Sequence, residues 1–295
     1  DLKFYCTRKI KHPTMASLSW KLTLLTCVAF QGRTCLGLRQ PLSQCLQKDH
    51  LSRAVMSALA KKKPIRKSRS PYVMGCPPTE FIDPPRRRED LGLLLRSRGL
   101  KGIGVEVGVQ RGNYSRTLLE GWNKAALFIQ VDLWEHQENY KDYANVGTAM
   151  QHQNMRGACE EAFKAGHTGK VVQCKDFSTA CAKLIPDGSV DFVYIDARHD
   201  RKGVLEDLAA YWPKLRVGGI IAGHDYMTQS EVGTAQDWKT NYDGTIDVTG
   251  QTVRGAVNDF FSGTFAGSPQ SLKACPRQPV ITYREQWWNT WIVAK

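Results

Sequence analysis

Four signatures are missing from this chain of 295 residues, and each absence narrows what it can be. Its nine cysteines include no C-x-x-C pair, which argues against structural zinc. No apolar run comes near the roughly 20 residues that cross a bilayer; the one at 22–30 has nine. No G-x-G-x-x-G follows an apolar strand, which speaks against a nicotinamide dinucleotide, although a nicotinamide-dependent oxidoreductase stays open as an alternative. Beyond residue 70 there is no excess charge. The whole net charge of +13 sits in residues 1–70, which hold 15 Lys plus Arg against 2 Asp plus Glu; the other 225 residues hold 26 of each. A basic tail of this kind is a solvated or targeting element. A non-catalytic RNA-binding protein using that tail is the second alternative, and nucleic acid is not the expected partner. The remaining 225 residues suffice for one α/β domain with its own core.

The leader has internal order. Met15-Ala16-Ser17-Leu18-Ser19-Trp20-Lys21, followed by the apolar run 22–30, has the shape of a signal peptide starting at Met15. No Ala-x-Ala follows, and 31–70 is basic, serine-containing and acid-poor like an organellar transit peptide. The secretory pathway and an organelle, plastid or mitochondrion, therefore both stand as destinations. Lys61-Lys62-Lys63-Pro64-Ile65-Arg66-Lys67-Ser68-Arg69 fits a nuclear signal, a kind of run that also arises by chance. Residues 1–70 are expected to be largely disordered, 71–85 to be a Pro-rich linker, and 86–295 to be the folded domain. Four cysteines (Cys6, Cys27, Cys35, Cys45) fall in the leader. The other five (Cys76, Cys159, Cys174, Cys181, Cys275) are odd in number, which argues for reduced, buried thiols, a disulfide being open to a secreted chain.

What is present is a pattern of buried strands. Asp191-Phe192-Val193-Tyr194-Ile195-Asp196-Ala197-Arg198-His199-Asp200 is an apolar run that stops on ionisable side chains. It reads as a parallel strand, buried on both faces, whose carboxyl end opens on a ligand crevice. Gly218-Gly219-Ile220-Ile221-Ala222 ends the same way on Gly223-His224-Asp225. Between them Val204, Leu205, Leu208, Trp212 and Leu215 recur at helical spacing, and right-handed crossover makes the two strands parallel. Neighbouring strands lie about 4.8 Å apart, which lets Asp196 and Asp225 face one small ligand or one metal ion.

Earlier in the chain, Gly104-Val105-Glu106-Val107 runs into Gly108-Val109-Gln110-Arg111-Gly112-Asn113-Tyr114-Ser115. Glycines at such a turn permit the sharp bend and a close ligand approach. The spacing is acid-x-G-x-x-x-G. A carboxylate at the strand end repels a pyrophosphate and welcomes an ammonium group. Asp132, closing the strand at 126–131, stands 20 residues beyond Gly112, where an acid takes ribose hydroxyls. Amine plus ribose describes a nucleoside amino acid.

Over about residues 90–295 the chain resembles the class I S-adenosylmethionine-dependent methyltransferases. Val105-Glu106-Val107-Gly108-Val109-Gln110-Arg111-Gly112 is similar to their first motif, Gln130-Val131-Asp132-Leu133 to their second, and Lys175-Asp176-Phe177-Ser178 stands where they contact adenine. The resemblance implies a Rossmann-like three-layer α/β fold, a seven-stranded mostly parallel sheet with an antiparallel last strand. It implies that Glu106 holds the cofactor ammonium, Ser115 its carboxylate, Asp132 its ribose, and Asp176 with Phe177 its adenine; Gly108 and Gly112 shape the turn. Asp196-x-x-His199 with His224-Asp225 resembles metal-assisted O-methyltransferases of sugars and catechols. By that likeness Asp196 and Asp225 bind a cation and His199 is the base for a hydroxyl of a small-molecule or carbohydrate acceptor. Magnesium suits an all-carboxylate site; His224 as a ligand favours manganese or another transition ion.

Blander roles stand beside these. Asp200 fits a helix cap better than a catalytic group, and His224 is balanced between ligand and support. Trp287, Trp288 and Trp291 fit core and strand-edge packing better than a substrate platform. His136 and Tyr140 either line the cofactor mouth or are solvated. The polar stretch 227–250, with Trp238, Asn241, Tyr242 and Asp243, is where acceptor specificity is expected.

Overall fold

The structure is a computed structural model and describes residues 45–61, 76, 81–285 and 288–295. The signal-like segment, three of the four leader cysteines, the basic run beyond Lys61 and Trp287 lie outside the described residues. In chain order the first elements are α1 (Leu51–Ala60), α2 (Leu91–Ser97), β1 (Ile103–Val107), α3 (Asn113–Gly121), β2 (Leu127–Asp132), α4 (Thr148–Lys164), β3 (Val171–Lys175) and α5 (Ser178–Ala182). There follow β4 (Val190–Ile195), α6 (Arg201–Tyr211), β5 (Leu215–Gly223), α7 (Gln229–Val232), α8 (Thr252–Ser262), α9 (Gln270–Ala274), β6 (Val280–Ile281) and β7 (Trp291–Ala294).

The seven strands form one sheet in the order β3-β2-β1-β4-β5-β7-β6. The first five are parallel and β7 runs antiparallel to both its neighbours, so this is the Rossmann-like α/β architecture the strand pattern implies. Alternate residues along each strand enter opposite layers. Ile103, Val105, Val107, Ile129, Val193 and Ile195 pack with α1, α5, α6 and α8, whereas Phe128, Phe192, Tyr194 and Ile220 pack with α2, α3 and α4. Because helices cover both faces, the central strands β1, β2 and β4 are buried almost from end to end and show no alternation of buried and exposed positions.

Residues 45–61, which charge assigns to the leader, belong to the packed body. Leu46 bridges to the outer edge of β3, donating its N–H to Val171 O at 3.1 Å and accepting from Gln173 N at 2.8 Å. α1 then buries Leu51, Val55 and Ala58 in the core. Disulfides join Cys45 to Cys159, Cys76 to Cys275 and Cys174 to Cys181, so the expectation of reduced thiols is overturned. The odd number in 71–295 becomes an even six because Cys45 belongs to the packed domain. Among the described residues no helix is long and apolar enough to cross a membrane.

Candidate active site

The connections after β1 and β4 leave the sheet in opposite directions, toward β2 and toward β5, and a crevice opens where they diverge. It measures about 640 Å³ and is lined by the carboxyl ends of these strands and the loops after them, inside the range of roughly 300–1,000 Å³ usual for ligand sites. Register fixes what meets there. Val107 pairs with Ile195 and Ile195 with Gly223, so Gly108, Asp196 and His224 emerge side by side. Gly108 has φ +86°, and a Cβ on it would lie 1.9 Å from Asp196 O. Gly112, at φ +80°, sits 2.5 Å in the same sense from the Cα of Ala158 in α4. The first glycine thus closes the gap between two strand ends, and the second lets α3 pack on α4.

On the β1–β3 side the acids are braced by protein groups. Glu106 is almost wholly buried and accepts a hydrogen bond from Ser115 Oγ. Burial pushes its carboxyl up to about 8, against the opposing effect of the Ser115 hydroxyl. Ser115 in turn accepts from Gln130 Nε2 at 2.9 Å, and Gln130 also donates to Ala158 O at 2.9 Å. Ser115 does not line the crevice, and its hydroxyl orients Glu106. Asp132 accepts from Val109 N at 2.8 Å and Gln110 N at 2.9 Å on one oxygen, and from Trp134 N at 2.9 Å on the other. It therefore ties the β1–α3 loop to the end of β2 while still facing the crevice. Asp176 pairs with Lys48 and accepts from Phe177 N at 2.7 Å. The exposed Phe177 ring stands edge-on to Tyr242, 5.3 Å between centroids.

On the β4–β5 side the acids face histidines and one another. His199 Nε2 lies 2.8 Å from Asp225 Oδ2, and His224 Nδ1 lies 2.9 Å from Asp225 Oδ1 and 4.0 Å from Asp196 Oδ1. Arg88 Nη1 reaches Asp196 Oδ2 at 3.5 Å, its guanidinium resting over the Tyr114 ring. Ligand atoms of Asp196, His199 and Asp225 all lie within 4.8 Å of one another. Asp225 itself is held at φ +57°, a backbone conformation that costs a non-glycine residue on the order of 1–3 kcal/mol. Burial alone would raise Asp225, but the two histidines hold it well below the usual carboxylate range. Burial does raise Asp196, against the pull of His224. His199 moves up to about 10, because Asp225, Asp142 and Asp196 outweigh the burial that would lower it.

Residues 105–226, from β1 through the end of β5, match the family model described as a methyltransferase domain. Over those residues the chain is similar to a methyltransferase domain. Solved structures with a similar arrangement include cofactor-bound Rv0187 from MTB, at 15% identity, covering 83% of this chain and 89% of that one with a TM-score of 0.47. An O-methyltransferase from Bacillus cereus in complex with SAH matches at 16% identity, covering 84% and 91%, TM-score 0.45. TomG from Streptomyces achromogenes, an O-methyltransferase in complex with SAM, matches at 15% identity, covering 70% and 79%, TM-score 0.45. No curated protein matches the chain.

Glu106, Gly108, Asp132, Asp176, Phe177, Asp196, His199, His224 and Asp225 all line this crevice; Gly112 and Ser115 lie behind it as supports. Asp200 caps α6, its side chain accepting from Gly203 N at 2.9 Å. Tyr140 lines the crevice and donates its hydroxyl to Ala197 O at 3.1 Å, whereas His136 is exposed outside it. Of the tryptophans, Trp291 is core as expected, but Trp288 stands in the crevice wall, 5.8 Å from the buried Trp238. Trp238 packs its ring 4.5 Å from that of His199. Three wall residues have no sequence signal: Arg88 before α2, Asp142 after β2, and Arg198. The Arg198 guanidinium donates to Gln137 Oε1 at 3.0 Å and Thr240 O at 3.1 Å, joining the two loops that roof the crevice.

Proposed function

We propose that the protein transfers the methyl group of S-adenosylmethionine to a hydroxyl of a small or carbohydrate acceptor. The observation that carries this reading is the junction at Gly108. Its missing Cβ brings the carboxylate expected to hold an ammonium and the carboxylate–histidine cluster into one crevice. The cofactor supplies a methyl already activated on a sulfonium; as the acceptor C–O bond forms, the C–S bond breaks and the acceptor loses its proton. The chain's part is placement and exclusion of water. Glu106, Asp132 and the Asp176–Phe177 pair mark out an amino acid, ribose and base along the β1–β3 ends. Asp196 and Asp225 fit a divalent cation: a half-buried and a buried carboxylate converge there with a histidine. When bound, such an ion lowers the pKa of a coordinated hydroxyl and fixes its direction. Trp288 and Trp238 give the acceptor side an aromatic wall, suited to a sugar face or a ring.

Calorimetry of the full chain tests the reading. S-adenosylmethionine should give heat and NAD none, and Asp132→Ala should weaken the first by on the order of tenfold, since three amides lose a charged acceptor. Heat with NAD alone would overturn it. We also infer the secretory route over an organelle, because three disulfides suit an oxidising compartment. Alkylation of the native chain isolated from its cells should leave these six cysteines unlabelled until reduction.

A further inference from the structure

We infer that His199 holds the cation through Nε2, with Asp142 as its positioning residue, and that His199 is not the base that takes the acceptor proton. This rests on the cation reading of Asp196 and Asp225.

The argument begins at the other ring nitrogen. His199 Nδ1 has two oxygens before it, Tyr140 Oη at 3.4 Å and Asp142 Oδ2 at 3.6 Å. Tyr140 donates its own hydroxyl proton to Ala197 O, so toward the imidazole its oxygen is an acceptor. Asp142 is an acceptor only. Two acceptors facing one nitrogen require that nitrogen to carry the hydrogen. Nε2 is the nitrogen left for a cation, and it points at Asp225 Oδ2, 2.8 Å away, within the cluster completed by Asp196. Without a cation, Nε2–H donates to Asp225 Oδ2; a cation entering the cluster takes the place of that proton. One imidazole and two carboxylates converging this way are a ligand set, and a ligating histidine characteristically gives its second N–H to a carboxylate.

Asp142 is built for that role. Its side chain is 1% exposed. Oδ1 accepts from Ala144 N at 2.7 Å, while Oδ2, buried, has no hydrogen-bond partner and is directed at the imidazole. The loop that carries it is fixed from within: Asn145 Nδ2 donates to Gln137 O and Tyr140 O at 2.6 Å each, and Gln151 Nε2 donates to Ala144 O at 3.0 Å. The imidazole in the ligand set favours a transition ion such as Mn²⁺ over Mg²⁺.

The test is a Mn²⁺ titration of the full chain followed by electron paramagnetic resonance, with no methyl acceptor present. Expected are loss of the free-ion signal on binding and a ¹⁴N coupling that vanishes in His199→Ala but persists in His224→Ala. Asp142→Ala should weaken Mn²⁺ by about 10–100-fold, with Asp142→Asn, which keeps an acceptor, recovering most of that loss. A ¹⁴N coupling that survives His199→Ala, or Mn²⁺ affinity indifferent to Asp142→Ala, overturns the assignment. If no variant and no wild-type protein binds Mn²⁺, the cation reading falls with it, whereas heat with S-adenosylmethionine would leave the methyl-transfer reading standing. Unchanged melting of Asp142→Asn separates a lost positioning contact from a misfolded loop.

Discussion

The two halves of the crevice are built on opposite principles. At the ends of β1–β3 each acid is quieted by its own surroundings: Glu106 by Ser115, Asp132 by three backbone amides, Asp176 by Lys48 and the Phe177 amide. At the ends of β4 and β5 the charges are turned on each other, two carboxylates and two histidines meeting around a strained Asp225. The first half is a mould that is complete before anything binds. The second is a set of buried charges whose balance depends on what joins them. A mould suits a cofactor of constant shape, and a charged cluster suits the changing charge of an acceptor hydroxyl.

The hardest blow to that division falls on Asp225. Asp225→Asn should cut methyl transfer by on the order of 10³-fold, since several kcal/mol of charge stabilisation rest on the cluster. The heat of S-adenosylmethionine binding should stay within about twofold. If binding and transfer fall together, the halves are one unit and the comparison is wrong. Next in size is the junction itself. Gly108→Ala places a methyl 1.9 Å from Asp196 O at φ +86°, where neither strand end has room to give. A loss of about 3 kcal/mol in denaturant unfolding is expected, with cofactor binding and methyl transfer weakened alike because this glycine belongs to both halves. A variant that melts like the wild type would show that the strands are looser than their register implies.

How much of this was legible beforehand follows the same line. The mould was readable from spacing, because Glu106, Gly108, Gly112 and Asp132 are placed by strand ends and a turn, and local geometry repeats in sequence. Their roles were less legible: Ser115 reads as a ligand group but points back to Glu106, since a helix face cannot be assigned from one position. Asp196, His199 and Asp225 were found as apolar runs ending in charge. Arg88 and Asp142 were not, because they reach the cluster from loops brought near only by the sheet order 3-2-1-4-5. Cys45 was missed for a different reason. Net charge marks a solvated segment and says nothing of the apolar Leu51, Val55 and Ala58 that dock just behind it.

The smallest effect sharpens the mould. Glu106 carries its proton to about pH 8 in the folded chain, against an ordinary value of 4.5, because it is buried. Between those values the folded state binds a proton the unfolded state lacks, so stability falls as pH rises from 4.5 to 8, by at most about 1.4 kcal/mol per pH unit. Glu106→Gln keeps an acceptor for Ser115 and should flatten that slope in unfolding measured across the window. The same proton must leave when an ammonium group docks, since a neutral carboxyl offers it little. Cofactor binding at pH 7 should therefore release close to one proton, seen as a heat that differs between phosphate and Tris in proportion to their ionisation enthalpies. In Glu106→Gln the buffers should agree, and the binding should be weaker. Equal heats in the wild-type chain would mean that the ammonium is received elsewhere, and the β1 end would then be a brace alone.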